Sequence, residues 1–186
     1  MVRKPIICIV LFYLFCSTSL ASESGNLYRN QDYTFSINFP KEWIVRSGQT
    51  PHTATVAENG KGESIVIQVW QLPRKVSLED FTTTDLKNYI KGTFEEFKDR
   101  YPNAVFHDSG ITYISNEKAT WLSVTYTIKH AFAMADVKTL MYQVFYNGLM
   151  YQIMCSSPTE RFKQFETIFL TSVRSFIFEE SAWYRK

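Results

Sequence analysis

Two apolar segments separated by an Asn-Gly pair constrain the fold of this chain more than any other feature. Residues 140–146 and 149–155 are rich in aromatic and aliphatic side chains, and only Asn147 and Gly148 lie between them. Both residue types tolerate the positive φ angles that a two-residue turn requires. The pattern predicts an antiparallel hairpin, and therefore a fold built on a sheet.

Alternating apolar residues indicate further strands. In residues 33–39 the side chains of Tyr33, Phe35, Ile37 and Phe39 share one face, and Pro40 ends the strand because proline cannot donate to the ladder. We expect other strands at 53–56, 64–72, 104–107, 111–114 and 120–128. Turns are expected at 59–62 and at 108–110, where Ser109 has the sequence context of a turn serine.

Two segments have the apolar spacing of amphipathic helices. The first is expected to begin with Ser77 as N-cap and to end before Pro102. The second is expected to begin at Ser157, with Pro158 in the first turn and Glu160 completing a capping box. Their predicted buried stripes are Phe81, Leu86, Ile90, Phe94, Phe97 and Tyr101 in the first helix, and Phe162, Phe165, Phe169, Val173 and Phe176 in the second.

The order of these elements is strands, helix, antiparallel strands, helix. This order predicts an α+β domain in which helices pack on a mostly antiparallel sheet. No repeat, low-complexity tract or flexible linker divides the chain after residue 21, so residues 22–178 are predicted to form a single domain and residues 179–186 a C-terminal tail.

The first 21 residues have the pattern of a secretory signal peptide. Arg3 and Lys4 precede an apolar run at 6–14, and the segment ends in Ser19-Leu20-Ala21. The run is shorter than the roughly 20 apolar residues that span a bilayer. We therefore expect the leader to be removed and the domain to fold outside the cytoplasm, in the periplasm or in the medium.

Removal of this leader changes the charge and cysteine content. The full chain has 20 Lys and Arg against 18 Asp and Glu, and loss of Arg3 and Lys4 leaves 18 of each sign. A neutral domain gives no argument for a nucleic-acid partner. Cys8 and Cys16 also leave, so Cys155 remains alone and is expected to be a buried, inert thiol. The bulky Phe15 before Cys16 disfavours lipid anchoring at that cysteine.

Two segments resemble the PsbP-like/Mog1-like superfamily. Residues 33–43, which read YTFSINFPKEW, are similar to the opening of that family. Its closing segment is matched by the hairpin at Asn147-Gly148, the Ser156-Ser157-Pro158 junction, the helix with Phe165 and Ile168, and Ser175-Phe176. The resemblance implies an α/β/α sandwich with a central antiparallel sheet. The superfamily includes extrinsic subunits of photosystem II, a nuclear-transport cofactor and exported bacterial proteins, so it implies no shared chemistry.

The residues give no pattern typical of catalysis or metal binding. His52, His107 and His130 are widely spaced, no Gly-x-Ser-x-Gly elbow is present, and no glycine-rich loop leads into a helix. We expect no catalytic residue, no metal site and no cofactor.

Two sets of residues are candidates for binding. Phe132 and Met134, in the apolar segment 131–135, would suit contact with a protein partner or a membrane surface if they lie at an exposed hairpin tip. Alternatively, the tip folds over the sheet or the strands simply extend. Tyr142, Tyr146 and Tyr151, together with Phe145, would line a groove for a small apolar ligand, or they are cross-strand pairs of the core. The sequence therefore predicts an exported, non-catalytic accessory or protein-binding module, with a carrier of a small apolar ligand as the alternative.

Overall fold

A computed structural model describes residues 25–130 and 133–179. The predicted leader at 1–21, residues Ala131 and Phe132, and the predicted tail beyond Glu179 lie outside the described residues. The described part contains ten strands, two α-helices and a short 3₁₀ turn at Leu78–Asp80. The α-helices are α1 (Thr83–Arg100) and α2 (Phe162–Arg174). The strands are β1 (Asn26–Asn30), β2 (Phe35–Phe39), β3 (Ile44–Ser47), β4 (Thr53–Glu58), β5 (Ser64–Gln71), β6 (Val105–Ile114), β7 (Glu117–His130), β8 (Ala133–Tyr146), β9 (Leu149–Pro158) and β10 (Ile177–Phe178).

Seven strands form the main sheet, in the order β3-β4-β5-β9-β8-β7-β6. Every neighbouring pair is antiparallel. The predicted hairpin is confirmed at its centre, where Asn147 and Gly148 have φ angles of 50° and 79°. A second, three-stranded sheet has the order β1-β2-β10.

The largest apolar core lies between one face of the main sheet and the layer formed by α2 and the small sheet. The alternating residues of β2 point into this core, and Phe35, Ile37 and Phe39 are at most 1% exposed. The predicted stripe of α2 also faces it, with Phe162, Phe169 and Val173 buried. Phe176, the last residue of the predicted stripe, is buried in the same core but lies after the end of α2 at Arg174. We call this side of the main sheet the α2 face.

The opposite side, the α1 face, packs against α1. Phe97 contacts a cluster formed by Leu122, Val124 and Met141. A second cluster joins Leu86 of α1 to Phe145. Helices therefore cover both faces of a central antiparallel sheet, and the predicted α/β/α sandwich is confirmed.

The first helix begins later than predicted. Ser77 caps the 3₁₀ turn, where its hydroxyl accepts from the Glu79 N–H at 3.2 Å. Thr82 is the N-cap of α1, and it forms a capping box with Asp85. The threonine-rich stretch 82–84 thus contains the start of α1, because a threonine hydroxyl satisfies backbone donors at a helix N-terminus.

The second helix also begins later than predicted. Ser157 and Pro158 are the last residues of β9, and α2 starts at Phe162 after an N-cap at Arg161 that makes no side-chain capping bond. The Ser157 hydroxyl instead donates to the buried carboxylate of Glu63, at 3.3 Å. The expected capping box at Ser157 and Glu160 is wrong because tertiary contacts hold this serine in the sheet.

The interpretation of residues 104–114 as two strands with a turn at 108–110 is also wrong. Val105–Ile114 is one edge strand, and Ser109 and Gly110 pair with Leu122 and Trp121 inside it. The irregularity lies at His107, where the register shifts between Phe106 and Asp108. Bulges are common on edge strands, where they disrupt pairing with other chains. Three short strands, β1, β3 and β10, were not predicted.

Candidate functional site

The hairpin of β7 and β8 is longer than the strands beside it. The last β6 partner of β7 is Val105, which pairs with Thr125, and β9 reaches β8 only as far as Val137. Four further pairs, from Thr127↔Asp136 to His130↔Ala133, therefore have no outer neighbour among the described strands. We call residues 127–130 and 133–136 the arm. One cross-strand bond within it joins the Thr127 hydroxyl to an Asp136 carboxylate oxygen at 2.7 Å.

Met134 lies on this arm, where it pairs with Lys129 and is 68% exposed. Phe132, the other predicted contact residue, lies outside the described residues. The strands extend as far as His130 and Ala133, which matches one of the two alternatives to an exposed tip. The extension does not bury Met134, so the arm presents a large apolar side chain to solvent.

The three candidate tyrosines share the α2 face but not the same surroundings. Tyr151 is fully buried, and its hydroxyl donates to the Tyr33 carbonyl at 2.8 Å. Burial raises the pKa of Tyr151 to about 12. Tyr146 stacks on Phe178 with 4.1 Å between ring centroids. These two rings pack in or against the core.

Tyr142 lines a groove beside α2, and neither Tyr146 nor Tyr151 is among the lining residues of that groove. A groove of about 300 Å³ lies between α2 and the β6 end of the main sheet. Burial raises the pKa of Tyr142, whose ring is 6% exposed. The residues that line the groove are 111–114, Trp121, Leu140, Tyr142, Glu166, Leu170, Val173 and Arg174.

The charges at this groove come from α2. The Glu166 carboxylate accepts from the Lys163 ammonium at 2.6 Å, on the same helix. Arg174, in the last turn of α2, takes part in no ion pair within residues 25–130 and 133–179. The groove therefore combines a largely apolar lining with one cation that is available to a ligand.

A larger cavity, of about 450 Å³, is open and mostly polar. It lies between the β1–β2 turn and the β3–β4 connection, with Tyr28 and Gly48 among its lining residues. The Tyr28 hydroxyl is already bonded to Asn30 Nδ2 at 3.2 Å. Its lining includes the titratable residues Tyr28, Arg29, Asp32 and Tyr33, and Arg29 is already paired with Glu179 at 3.2 Å, so the cavity indicates no particular chemistry.

One buried carboxylate stands out. Glu63 is 0% exposed, forms a salt bridge with Arg161, and accepts from Asn59 Nδ2 at 2.6 Å. Burial alone would raise the pKa of Glu63, but the hydrogen bonds from Arg161 and Asn59 and the arginine charge outweigh it, so the pKa lies below its ordinary value. Asn59 and Arg161 both bind Glu63, which makes this cluster a structural clamp between the β4–β5 turn and α2.

The thiol of Cys155 is fully buried, as predicted, and burial raises its pKa. Such a thiol forms little thiolate and is a poor nucleophile. Within residues 25–130 and 133–179, no three His, Cys, Asp or Glu side chains are grouped so that they would hold a metal ion. No helix in the same ranges is long and apolar enough to cross a membrane.

The groove includes residues that sequence reasoning missed. Trp121 and Arg174 come from β7 and α2, and only the packing of α2 beside the sheet brings them together. No local pattern marks either residue. An uncharged run at 109–114 on an edge strand is the signal that would have drawn attention to this part of the surface.

Comparison by structure finds solved proteins of the same fold at low sequence identity. Cyanobacterial PsbP (CyanoP) from Synechocystis sp. PCC 6803 superposes with a TM-score of 0.57 at 16% identity, over 88% of this chain and 97% of that chain. LpqN of Mycobacterium tuberculosis gives 0.56 at 11% identity, over 83% and 90%. The Ran-binding protein Mog1p of Saccharomyces cerevisiae gives 0.53 at 12%, over 86% and 98%.

Sequence comparisons give no relative. No protein-family model matches the chain, and no curated protein matches it. The structural likenesses, together with the α/β/α layers and the antiparallel sheet, identify the architecture: this chain has the PsbP/Mog1-like fold.

Proposed function

We propose that this protein is an exported, non-catalytic accessory module that binds a protein partner through the arm. The observation that carries the proposal is the 68% exposure of Met134 on a hairpin that extends beyond the neighbouring strands. Phe132, between the two strands of the arm in sequence, adds a second large apolar residue.

The arm lowers the stability and solubility of the protein unless a partner binds it. A two-stranded hairpin without further strands or a helix against it is marginally stable in water. The exposed Met134 side chain adds little to the core and increases the risk of aggregation. A partner that buries Met134 and Phe132 would offset this cost, and flexible methionine side chains suit such contacts.

Structures of the same fold support binding as the general role. Mog1p is a Ran-binding protein, and LpqN is involved in cell envelope biogenesis. These roles belong to those proteins. For this chain they support a binding or accessory module, and the arm is the surface that we assign to it.

Site-specific crosslinking tests the arm. A photoreactive amino acid is placed at position 134 of the full chain in the cells that produce it, and crosslinked proteins are identified by mass spectrometry. The matched control carries the same group at Ile44, which is 62% exposed on β3 at the far edge of the sheet. We expect one partner that crosslinks from position 134, not from 44, and is lost in a Phe132→Asp variant.

Other outcomes would contradict this proposal. Equal crosslinking from positions 134 and 44 would show that the arm has no special role. Crosslinks to lipid instead of protein, together with sedimentation of the protein on anionic vesicles, would show that the arm binds a membrane surface and not a protein.

Export is part of the proposal and has its own test. The mass of the purified protein after expression with its full leader is expected to correspond to cleavage after Ala21, with no diacylglyceryl group on Cys16. An intact chain recovered from the cytosol would contradict export.

A carrier of a small apolar ligand is the second candidate. It is favoured by one observation, namely that Tyr142 lines a cavity of about 300 Å³, the lower end of the range for small-molecule pockets. Native mass spectrometry of purified protein distinguishes the two functions. A bound species of a few hundred daltons that is lost in Leu170→Arg would support the carrier.

A further inference from the structure

We propose that the outer edge of β6, together with the groove beneath it, binds an extended peptide segment of another protein as an added strand. This surface lies on β6 and α2, whereas the arm belongs to β7 and β8. The inference does not rest on the arm, and each can fail without the other.

The first support is the hydrogen-bonding pattern of the edge. Ile114 and Glu117 close a two-residue turn, in which Ser115 and Asn116 have φ angles of 52° and 67°. The closing pair of such a turn is hydrogen-bonded, and pairs alternate along an antiparallel ladder. The N–H and C=O groups of Tyr113, Ile111 and Ser109 therefore point away from β7, and no described strand pairs with them.

The second support is the exposure of the side chains along this edge. Ile111 and Tyr113 are 47% and 64% exposed, and both lie on the α1 face. Residues 109–114 contain no charged side chain. Proteins usually protect a long edge strand with charges, proline or a bulge. On β6 the bulge and the charge lie at His107 and Asp108, before residues 109–114, so the outward backbone groups of this part of the strand have no such protection.

The third support is the position of the groove. Residues 111–114 of β6 form one wall of it, so the groove opens at the same edge that offers the backbone groups. In a strand added beside β6, alternate side chains point to the α2 face. A side chain of the peptide opposite Gly110 or Thr112 would therefore enter the groove. A free edge with pockets for alternate side chains is the arrangement by which strand addition gains both affinity and specificity.

Gly110 shapes this wall of the groove. A Cβ atom at position 110 would lie 2.7 Å from Nε1 of Trp121, so the indole ring lies directly over the backbone of the edge strand. The ring lies beside Tyr142 on the paired strand and provides an aromatic surface at the edge.

Charge defines the chemistry of the peptide. The edge is uncharged, Glu166 is already bonded to Lys163, and Arg174 has no ionic partner in the described ranges. The segment that fits is extended, has one aromatic or long aliphatic side chain for the groove, and has an acidic residue nearby for Arg174. A second copy of this chain fits less well, because the β6 strand of that copy has an uncharged sequence from 109 to 114 and brings no carboxylate among those residues to Arg174.

The experiment uses the full chain and a displayed library of random linear decapeptides. We expect the enriched peptides to contain an aromatic or long aliphatic residue with Asp or Glu within two positions. The affinities of synthetic versions of these peptides are then measured by fluorescence anisotropy.

The variant Ile111→Pro removes an outward N–H without removing a bond to β7. We expect it to weaken peptide binding by about tenfold, the effect of losing about one hydrogen bond. Ile111→Ala is the matched control, because it keeps the N–H, and Arg174→Glu should abolish the preference for acidic peptides.

N-methylation of the peptide keeps the test decisive if the proline variant fails to fold. Two peptides are compared, each methylated at every second backbone nitrogen but offset by one residue. The peptide whose methyl groups replace the N–H groups that face β6 should not bind the wild-type chain, and the other peptide should bind unchanged. The proposal is overturned if no enriched peptide responds to Ile111→Pro or to N-methylation. It is also overturned if light scattering shows a dimer that Ile111→Pro dissociates and that peptides do not, since the edge would then belong to a second copy.

Discussion

The buried carboxylate of Glu63 is bonded to the guanidinium of Arg161, which lies 98 residues later in the chain. Glu63 follows the turn between β4 and β5, and Arg161 immediately precedes α2. The same guanidinium donates to the Lys61 carbonyl at 2.9 Å. This clamp fixes the start of α2 against the β4–β5 turn of the main sheet. It therefore helps to position the helix that forms one side of the groove.

We predict that Glu63→Gln lowers the free energy of unfolding by about 3–5 kcal/mol, because it leaves the Arg161 charge without its buried partner. Urea denaturation measures the loss. Glu58→Gln is the matched control, since its bond to Arg46 is on the surface. That change should cost at most about 1 kcal/mol. Equal effects of the two substitutions would contradict the clamp.

The same carboxylate predicts a pH dependence of stability. The pKa of Glu63 is lower in the folded state than its ordinary value of 4.5. Its contribution is therefore complete above that value and is lost as the pH falls through the folded-state pKa. Denaturation curves measured between pH 7 and pH 3 should show that the free energy of unfolding falls more steeply with decreasing pH for the wild type than for Glu63→Gln. Parallel curves would show that Glu63 does not titrate with folding.

Two glycines give opposite predictions for substitution by alanine. Gly110→Ala forces the Cβ atom against the indole of Trp121, at 2.7 Å, and is expected to cost about 1–3 kcal/mol. Gly92 lies inside α1, and a Cβ there meets nothing within 4 Å, so Gly92→Ala should stabilise the protein by about 0.5–1 kcal/mol. Thermal unfolding of the two variants measures both changes. A neutral Gly110→Ala would show that Trp121 moves freely and does not form a fixed wall of the groove.

Tyr151→Phe tests whether this tyrosine is structural. The change removes the 2.8 Å bond to the Tyr33 carbonyl and is expected to cost about 1–2 kcal/mol. Tyr113→Phe, at a side chain that is 64% exposed, should change stability by less than about 0.5 kcal/mol. Chemical denaturation of both proteins measures the two changes, and an unchanged stability of Tyr151→Phe would contradict a structural role for this hydrogen bond.

The sequence predicted correctly those elements that are determined by neighbouring residues in the chain. The Asn147-Gly148 turn requires two positive φ angles, and few other residue pairs supply them. The buried stripe of α2 depends only on the spacing of apolar residues along the helix, and its prediction is confirmed from Phe162 to Val173. Ser157 and Asp108-Ser109-Gly110 misled the prediction because their turn and cap chemistry was overruled by tertiary contacts. Ser157 bonds to Glu63, and Ser109 and Gly110 pair with β7.

The candidate site was less predictable than the fold. Met134 was identified because an apolar segment between two strands is unusual. Its side chain is exposed in the structure, and its role as a contact residue stays a prediction. The groove was not foreseen beyond Tyr142, since Trp121 and Arg174 approach it only when α2 packs on the sheet. Tyr146 and Tyr151 share the α2 face with Tyr142, and alternation alone does not show which of the three reaches a surface.

The most direct test of the account is the thermal stability of the chain with Phe132→Asp and Met134→Asp together. If these side chains serve a partner and not the core, the melting temperature should change by no more than about 2 °C, as for other surface substitutions. Met141→Asp, at a position 3% exposed on the same strand, is the control and should lower it strongly. A comparable fall in the double variant would show that the arm belongs to the core, and would contradict the proposed function.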